Sequence, residues 1–220
     1  MRHETAIISP GAIVAETAVI GPYAIIEAGA VIEDDVYIGP HAVVGSPGQH
    51  TGSWPAPVWA PKRGKGVLVK RGATIREFVT IHSGLVQVTT VGVEAHVMSY
   101  VHVPHDATIG DAATIGSNSV LGGFTLIGEN ATLGQGVVTH PWVLIGEGAM
   151  IGLNSSVVND VQPYQKQAGS PARLLGSNTH KDASLPVEWT ERALSARCLY
   201  AYNELVDRRV ILKERWANVS

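Results

Sequence analysis

Aliphatic residues recur at every sixth position through most of the chain, in three runs that keep strict register. A helical stripe would recur at intervals of three and four residues, and a half-buried strand at intervals of two. Six residues instead match a short strand followed by a turn. The runs are Ile8, Val14, Ile20, Ile26, Ile32, Ile38 and Val44; Val69, Ile75 and Ile81; and Val91, Val97, Val103, Ile109, Ile115, Leu121, Ile127, Leu133, Thr139, Ile145, Ile151 and Val157, of which only Thr139 is not aliphatic.

This period predicts an all-β fold, the parallel β-helix of the hexapeptide type. Three strand-and-turn units make one triangular coil, and successive coils stack at the strand spacing of roughly 4.8 Å. The aliphatic residue points inward, and Gly, Asn or Asp is expected at the turns, where a positive φ costs these residues little. A thin prism leaves apolar faces to cover, so we expect a closed cyclic oligomer, most simply a homotrimer.

Two insertions and one change of pattern divide the chain. Insertions at 45–66 and 82–90 interrupt the period within a β-helix that we assign to residues 1–171. Insertions of this length in a compact domain are often functional. The alternative for the first one is a loop that clamps the neighbouring subunit. Residues 172–220 lose the period and later show apolar residues at helical spacing, so they are predicted to form a short C-terminal α-helical extension.

The composition excludes several classes of protein. The 220 residues carry a formal net charge of −3, which leaves no electrostatic footprint for general nucleic-acid binding. A single cysteine excludes an intramolecular disulfide framework and a cysteine-based zinc site. The first residues lack the apolar core of a signal peptide, and no window approaches the apolar length of a membrane span. We therefore expect a cytoplasmic protein.

Two histidines, His102 and His105, stand three residues apart in a run rich in Val, Ile and Gly, and Asp106 follows directly. A neutral imidazole can accept a proton near neutral pH, and a neighbouring carboxylate can fix its tautomer. This combination suits acyl transfer from a thioester, because the attacking hydroxyl or amine must lose a proton. The alternative is that both histidines only fill the contact between subunits of a non-catalytic trimeric scaffold.

Zinc binding is the other chemistry that histidines on such a prism can support. The γ-class carbonic anhydrases, which share the hexapeptide prism, bind zinc between subunits with three histidines, two of them five residues apart on one coil. Counting back five residues from His105 reaches Tyr100, so the spacing does not meet that pattern. We therefore expect no metal ligands and no bound cofactor, and we keep a metalloenzyme of this type as an alternative function.

Several stretches resemble the acyl-carrier-protein-dependent UDP-N-acetylglucosamine O-acyltransferases of lipid A synthesis. They are "IREFVTIHSG" (75–84), "VHVPHD" (101–106), Gly122-Gly123, "VVTHPWVLIG" (137–146) and "VVNDVQPYQKQAGSPARLLGSN" (157–178). The resemblance covers roughly residues 5–178. It implies a left-handed β-helix, although general crossover rules favour the right hand. It also implies an acyltransferase (EC 2.3.1 type) that uses acyl-carrier protein or a coenzyme A thioester as co-substrate.

Roles for individual residues also follow from the resemblance. His105 matches the catalytic base, Asp106 its orienting partner, and Gly123 the glycine whose N–H stabilises the oxyanion. His102 and His140 match substrate-contacting histidines. The further substrate-binding candidates are Glu77 and His82 in the stretch 75–84, His50 in the first insertion, Leu153, and Arg173.

Two of these candidates come with a specific role. Leu153 stands where the family limits acyl length, so we expect a short or medium acyl group. Arg173, with Lys62, Arg63 and Lys65, is expected to meet an acidic carrier protein or the phosphates of coenzyme A.

The departures from the family concern the acceptor. Phe124 stands where the family has a histidine beside the oxyanion glycine, and the arginine-rich start of the family's C-terminal helices is missing. That region helps to bind the uridine nucleotide in the family. We therefore expect a small acceptor with a hydroxyl or amine group that differs from UDP-N-acetylglucosamine.

Overall fold

The computed structural model describes residues 1–49, 64–179, 206–211, 213, 214 and 217, and all structural statements refer to these. His50, Lys62 and Arg63 lie outside the described residues. Residues 1–49 and 64–179 form one coil of short strands that pair mainly in parallel, which confirms the predicted left-handed β-helix.

The strands are two to five residues long and wind around a three-sided prism. Face 1 contains β1 (Ile7–Ile8), β4 (Ile25–Ile26), β7 (Val43–Ser46), β10 (Thr80–His82), β13 (His102–Val103), β18 (Val138–Thr139) and β21 (Ser156–Val157). Face 2 contains β2 (Ile13–Val14), β5 (Ala30–Ile32), β8 (Val67–Val69), β11 (Thr89–Val91), β14 (Thr108–Ile109), β16 (Leu126–Ile127) and β19 (Leu144–Ile145). Face 3 contains β3 (Val19–Ile20), β6 (Tyr37–Ile38), β9 (Thr74–Ile75), β12 (His96–Val97), β15 (Thr114–Ile115), β17 (Thr132–Leu133), β20 (Met150–Ile151), β22 (Gln165–Ala168) and β23 (Arg173–Ser177).

The register of the strands places the period of six inside the prism. Ile20 pairs with Ile38, three units further along the chain, and Ile8 pairs with Ile26 in the same way. On face 1, Val120 forms only single-residue bridges, to His102 above and Val138 below. The insertions therefore leave the stacking of coils intact, because Ile38 still pairs with Ile75 across the first one.

The aliphatic residues at period six form the core. Ile20, Ile38, Ile75 and Ile115 are at most 1 % exposed, and small alanines fill the inward positions two residues before many of them. Burying one such side chain contributes about 1.5–3 kcal/mol, so a narrow prism gains its stability from many repeated contacts. Thr139, the one polar residue in the pattern, is also buried, at 3 % exposure.

The corners differ in part from the prediction. Gly, Asn and Asp do occur there with positive φ, as at Asp35 and Asn118, but so do aromatic residues. Four rings stack face to face along one exposed corner, with centroids 4.8–5.0 Å apart: Tyr23, His41, Phe78 and Tyr100. Stacking with the coils above and below compensates the strain of the positive φ at these residues.

The glycine that follows many inward aliphatic residues has a different role from the one expected. Gly110 does not have a positive φ; instead, a Cβ there would lie 2.6 Å from Gly128 C and Glu129 N of the next coil. Glycine is needed at this position because the backbones of successive coils approach closely.

The end of the coil is closed by strand pairing. β22 pairs with β20 in parallel and with β23 in antiparallel, so residues just after 171 continue as a strand and not as a helix. Helical residues 206–211, 213, 214 and 217, called α1, pack on face 2 through Val206, which contacts a buried cluster that includes Leu126 and Leu144. Among the described residues, no helix combines the length and hydrophobicity needed to cross a membrane.

Candidate active site

His105 and Asp106 follow β13 at a corner of the prism, where Asp106 has a φ of 61°. His105 Nδ1 lies 2.8 Å from Asp106 Oδ2, and both residues are buried, at 7 % and 0 % exposure. A carboxylate oxygen accepts, so the ring nitrogen Nδ1 donates this hydrogen bond. The pair thus fixes the orientation of the imidazole and the position of Nε2, the nitrogen that can act as a base.

The Asp106 carboxylate is held by the loop at 84–88, which belongs to the second insertion. Backbone N–H groups of Leu85, Val86 and Gln87 donate to it, the two shortest bonds being 2.8 and 2.7 Å from Val86 and Gln87. The Asp106 N–H donates to Thr89 Oγ1 at 2.9 Å. Consecutive backbone donors stabilise an anion without a counter-charge, so this loop forms a binding site for the fully buried carboxyl group.

Gly123 lies against the opposite edge of the imidazole. A Cβ at Gly123 would be 3.0 Å from His105 Cε1 and 3.1 Å from Nε2, so only glycine leaves this edge uncrowded. Among the described residues, no acceptor lies within hydrogen-bonding distance of the Gly123 N–H. Gly123 and the Cε1–Nε2 edge of the His105 ring are therefore direct neighbours on successive coils.

Aromatic rings pack against one side of His105. Phe124 meets His105 edge to face, with centroids 5.2 Å apart, and stacks on Trp142 at 3.8 Å. Lys213 Nζ of α1 lies 5.7 Å from the centroid of the Trp142 ring. Phe124 provides no hydrogen bond, so the wall beside the imidazole is apolar where the family has a histidine.

The hydrogen bonds of Thr139 explain why one position in the hydrophobic period is polar. Its hydroxyl accepts from the Gly122 N–H at 2.9 Å and lies 2.9 Å from Thr125 Oγ1. Thr125 in turn donates to the Gly122 carbonyl at 2.7 Å. Two hydroxyls thus fix both peptide groups of Gly122, immediately before the Gly123 N–H.

We expect Thr139→Val to lower both stability and turnover. Valine keeps the shape but leaves the Gly122 N–H without its acceptor, which costs about 1–3 kcal/mol. The following turn should shift, and we expect kcat to fall about tenfold, the equivalent of about 1.4 kcal/mol. Melting temperature and kcat measure the two effects. Thr132→Val, at an outward threonine of β17, is the matched control, and equal results for both variants would contradict this role of Thr139.

The neighbouring part of face 1 carries two more histidines. β10 pairs with β13 so that Thr80 lies opposite His102, and Thr80 Oγ1 is 2.8 Å from His102 Nδ1. The rings of His82 and His102 meet edge to face at 4.6 Å. Burial lowers the pKa of His102 from its ordinary value, and the nearby His105 lowers it further, so His102 is neutral at physiological pH.

His140 lies one coil below Gly122, at the same corner of the prism. A Cβ at Gly122 would be 2.6 Å from His140 C, which shows how closely the two coils stack. The His140 side chain is exposed, and its Nδ1 lies 3.0 Å from the Pro141 carbonyl oxygen. Five of the expected site residues, His82, His102, His105, Asp106 and Gly123, thus lie next to one another, with His140 directly below.

The other expected site residues lie elsewhere on the surface of the described chain. Arg76 donates twice to Glu77, at 2.8 and 3.2 Å, and these hydrogen bonds lower the pKa of Glu77 to about 2. Leu153 is 68 % exposed on a turn far along the coil, and Arg173 is exposed on β23. Lys65 is exposed at the end of the first insertion.

The described part of the chain contains no cluster of potential metal-ligating side chains. Among these residues, no group of three or more His, Cys, Asp or Glu side chains has the geometry to hold an ion. The histidines that do lie together make other contacts, His102 with Thr80 and His105 with Asp106.

Several residues that shape the site were not singled out from the sequence. Gln87 and Thr89 contact Asp106, and Thr125 contacts Gly122. Thr139 broke the period, which was a visible signal, but nothing in the sequence indicated its partner. The insertion that contains Gln87 follows no repeat, so its contacts could not be derived from spacing.

Comparison with known proteins agrees with this architecture. The Bacterial transferase hexapeptide (six repeats) family model matches residues 11–46 and 89–123. The acyl-[acyl-carrier-protein]–UDP-N-acetylglucosamine O-acyltransferase of Paraburkholderia xenovorans is 41 % identical over 190 residues, which are 80 % of this chain and 72 % of the relative. The enzyme of the same name from Paraburkholderia phymatum is 39 % identical over 108 residues, 48 % of this chain and 41 % of its own length.

Solved structures lead to the same group of proteins. The structure of LpxA from Acinetobacter baumannii superposes with a TM-score of 0.69 and 26 % identity, covering 86 % of this chain and 78 % of that one. The alignment with the Paraburkholderia xenovorans relative covers more than two thirds of both chains at high identity. The chain is therefore an acyltransferase, and it belongs to the hexapeptide-repeat family of acyl-[acyl-carrier-protein]–UDP-N-acetylglucosamine O-acyltransferases.

Proposed function

We propose that this enzyme moves an acyl group from acyl-carrier protein or acyl-coenzyme A to a hydroxyl or amine of a small acceptor, with His105 as general base. The observation that carries the proposal is the arrangement around His105. Its Nδ1 lies 2.8 Å from a buried carboxylate oxygen, and its Cε1–Nε2 edge packs against Gly123. A base and an oxyanion donor on opposite sides of one space are what thioester attack requires.

The reaction divides into two proton transfers. As the acceptor oxygen or nitrogen attacks the thioester carbonyl, His105 Nε2 takes its proton, and the Gly123 N–H donates to the carbonyl oxygen as negative charge develops there. The carbon–sulfur bond then breaks, and the proton on Nε2 passes to the departing thiolate. Asp106 stays ionised throughout, holds the ring orientation and stabilises the transient imidazolium.

Substrate binding is assigned to the residues around and below this centre. His102 and His82 would contact the acceptor from face 1, and His140 from the coil below. His50 and Glu77 are retained as further substrate contacts. Arg173, with Lys62, Arg63 and Lys65, is directed at the phosphates or acidic surface of the donor. A bulky Leu153 favours a short or medium acyl chain over a long one.

The proposed acceptor differs from the one for which the relatives are named. The relatives are named for transfer to UDP-N-acetylglucosamine. Phe124 and its stack on Trp142 put an apolar wall beside His105. This wall supports the expectation of a different acceptor, so UDP-N-acetylglucosamine is the reference compound against which others are compared.

We expect the protein to be a homotrimer of the cytoplasm, with active sites between subunits. Val120 and Val138 are 44 % and 46 % exposed on face 1, next to His102, and another copy of the chain would cover them. Light scattering at micromolar concentration should give three times the 23.3 kDa chain mass. A stable monomer that is fully active would contradict the shared site.

Release of free thiol from a panel of donors tests the function. Medium-chain acyl groups on acyl-carrier protein and on coenzyme A are each incubated with UDP-N-acetylglucosamine, with amino sugar nucleotides and without acceptor. We expect acceptor-dependent release that a strong chelator leaves unchanged. Loss of activity in chelator with recovery on adding zinc would favour the carbonic-anhydrase-like alternative, and no release from any donor would favour the scaffold.

A further inference from the structure

The loop at 84–88 holds the catalytic carboxylate but has no strand pairing of its own between Gly84 and the start of β11. The N–H groups of Leu85, Val86 and Gln87 all point at Asp106. Loop and carboxylate therefore support each other. The loop also packs on the coil through Val86, which is buried against Phe124 and Leu126, and two further polar contacts hold it in place.

Gln87 provides the first further polar contact. Its side-chain Nε2 donates to the Asp106 carbonyl oxygen at 2.6 Å, while its backbone N–H donates to the Asp106 carboxylate at 2.7 Å. One residue thus binds Asp106 at both its main chain and its side chain. The amide orientation follows from its partners, because only the NH2 group can donate to a carbonyl.

Arg208 of α1 provides the second contact. Its Nε and Nη2 donate to Gln87 Oε1 at 3.3 and 3.0 Å, across 121 positions of sequence. The Arg208 side chain is half-buried, and this burial lowers the pKa of its guanidinium from the ordinary value. A partly desolvated guanidinium depends on its acceptor, so this fork holds the Gln87 side chain in place.

We propose that Gln87 and Arg208 are positioning residues for acyl transfer: through them, the C-terminal helix holds the loop in the conformation in which Asp106 Oδ2 accepts the hydrogen bond from His105 Nδ1. The kinetic consequence rests on the proposed function of His105. The geometric consequence does not rest on that function: the hydrogen bond between His105 Nδ1 and Asp106 Oδ2 persists only while α1 is bound through Arg208.

The adjacent arginine offers a matched control. Arg209 Nη1 donates to both carboxylate oxygens of Asp160 at 2.6 Å and to the Trp142 carbonyl oxygen at 3.3 Å. It anchors the same helix to the coil but does not touch the loop at 84–88. Arg209→Met therefore reports the cost of weakening helix docking alone.

The test uses the full-length protein with Arg208→Met, Gln87→Ala, the double variant, Arg208→Lys and Arg209→Met. Solvent exchange of the His105 Nδ1 proton is measured by NMR on histidine-labelled protein, and the resonance is assigned by its loss in His105→Ala. Medium-chain acyl-carrier protein with UDP-N-acetylglucosamine as probe acceptor gives kcat and KM.

We expect the proton to exchange about tenfold faster or more in Arg208→Met and Gln87→Ala, and kcat to fall about 10- to 100-fold with a nearly constant KM for the donor. Arg208→Lys should recover part of the loss. The double variant should be no worse than Gln87→Ala, because Arg208 acts through Gln87. Arg209→Met should be impaired much less than Arg208→Met in both measurements, because it weakens helix docking but leaves the contact between Arg208 and Gln87 in place.

The proposal is overturned by unchanged exchange in Arg208→Met, by additive losses in the double variant, or by an Arg209→Met variant as impaired as Arg208→Met. Its failure is distinct from failure of the proposed function. If wild type and His105→Ala turn over equally, the acyl-transfer assignment is wrong, while the exchange data still decide the positioning role.

Discussion

Replacing His105 with alanine should lower kcat by roughly two to four powers of ten, the usual range for the loss of a general base. Without Nε2, the attacking hydroxyl or amine has no acceptor for its proton as the bond to the acyl carbon forms. Thiol release from the best donor of the panel measures the loss. The KM for the donor should change little, because His105 acts mainly in the transition state.

Two controls separate chemistry from folding in this experiment. His105 is only 7 % exposed, although the H-x-x-H-D pattern by itself would place it on the outside of the prism. A truncation there leaves a gap against Phe124, so melting temperature should fall as well. His105→Gln fills more of this space and can donate to Asp106, and it should be just as slow. A His105→Gln enzyme with normal turnover would show that the ring is structural.

His102 is the histidine to compare with it. His102→Ala should mainly raise the KM for the acceptor, since it removes binding that ground state and transition state share. Near-normal turnover in His105→Ala together with an inactive His102→Ala would reverse the two roles.

Asp106→Asn should lower kcat by roughly two powers of ten, between the effects of His105→Ala and His102→Ala. The N–H groups of Val86 and Gln87 donate to Oδ1, and they keep the amide oxygen on that side because they can only donate. The amide NH2 then faces His105 Nδ1, which must become an acceptor and move its proton to Nε2. The imidazole remains in place as the wrong tautomer, without a lone pair for the substrate.

NMR of histidine-labelled protein can observe that tautomer directly. Wild type should show a protonated Nδ1 and the variant a protonated Nε2 at neutral pH. Asp106→Ala is the contrasting variant, because it removes the acceptor of all three N–H groups, and we expect it to unfold at a clearly lower temperature. An Asp106→Asn enzyme with full activity would exclude an orienting role for the carboxylate.

Most of the fold could be predicted because a period of six leaves few alternatives. The inward positions, the three faces and the burial of Ile20 through Val157 follow from counting alone. Corners were less predictable, because rings such as Phe78 and Tyr100 accept a positive φ only through stacking between coils. The strand β23 was missed because its antiparallel pairing ends the repeat and has no periodic signal.

The main residues of the site could be predicted from the sequence, but their arrangement in space could not. His105, Asp106 and Gly123 were found by resemblance, and the structure brings them together across successive coils. Gln87 and Arg208 could not be found, since an insertion without a repeat meets a helix 121 positions away. The roles of the site residues, and an acceptor other than UDP-N-acetylglucosamine, stay predictions.

Mass spectrometry of the acylated acceptor tests the central claim most directly. Wild type and His105→Gln are incubated in parallel with a medium-chain acyl-carrier protein that carries an isotope label in its acyl group, and with each candidate acceptor. The account predicts that wild type moves the label to an acceptor hydroxyl or amine and releases one thiol for each product, while the variant forms at least about a hundredfold less. Equal product from both proteins, or thiol release without any labelled acceptor, would contradict it.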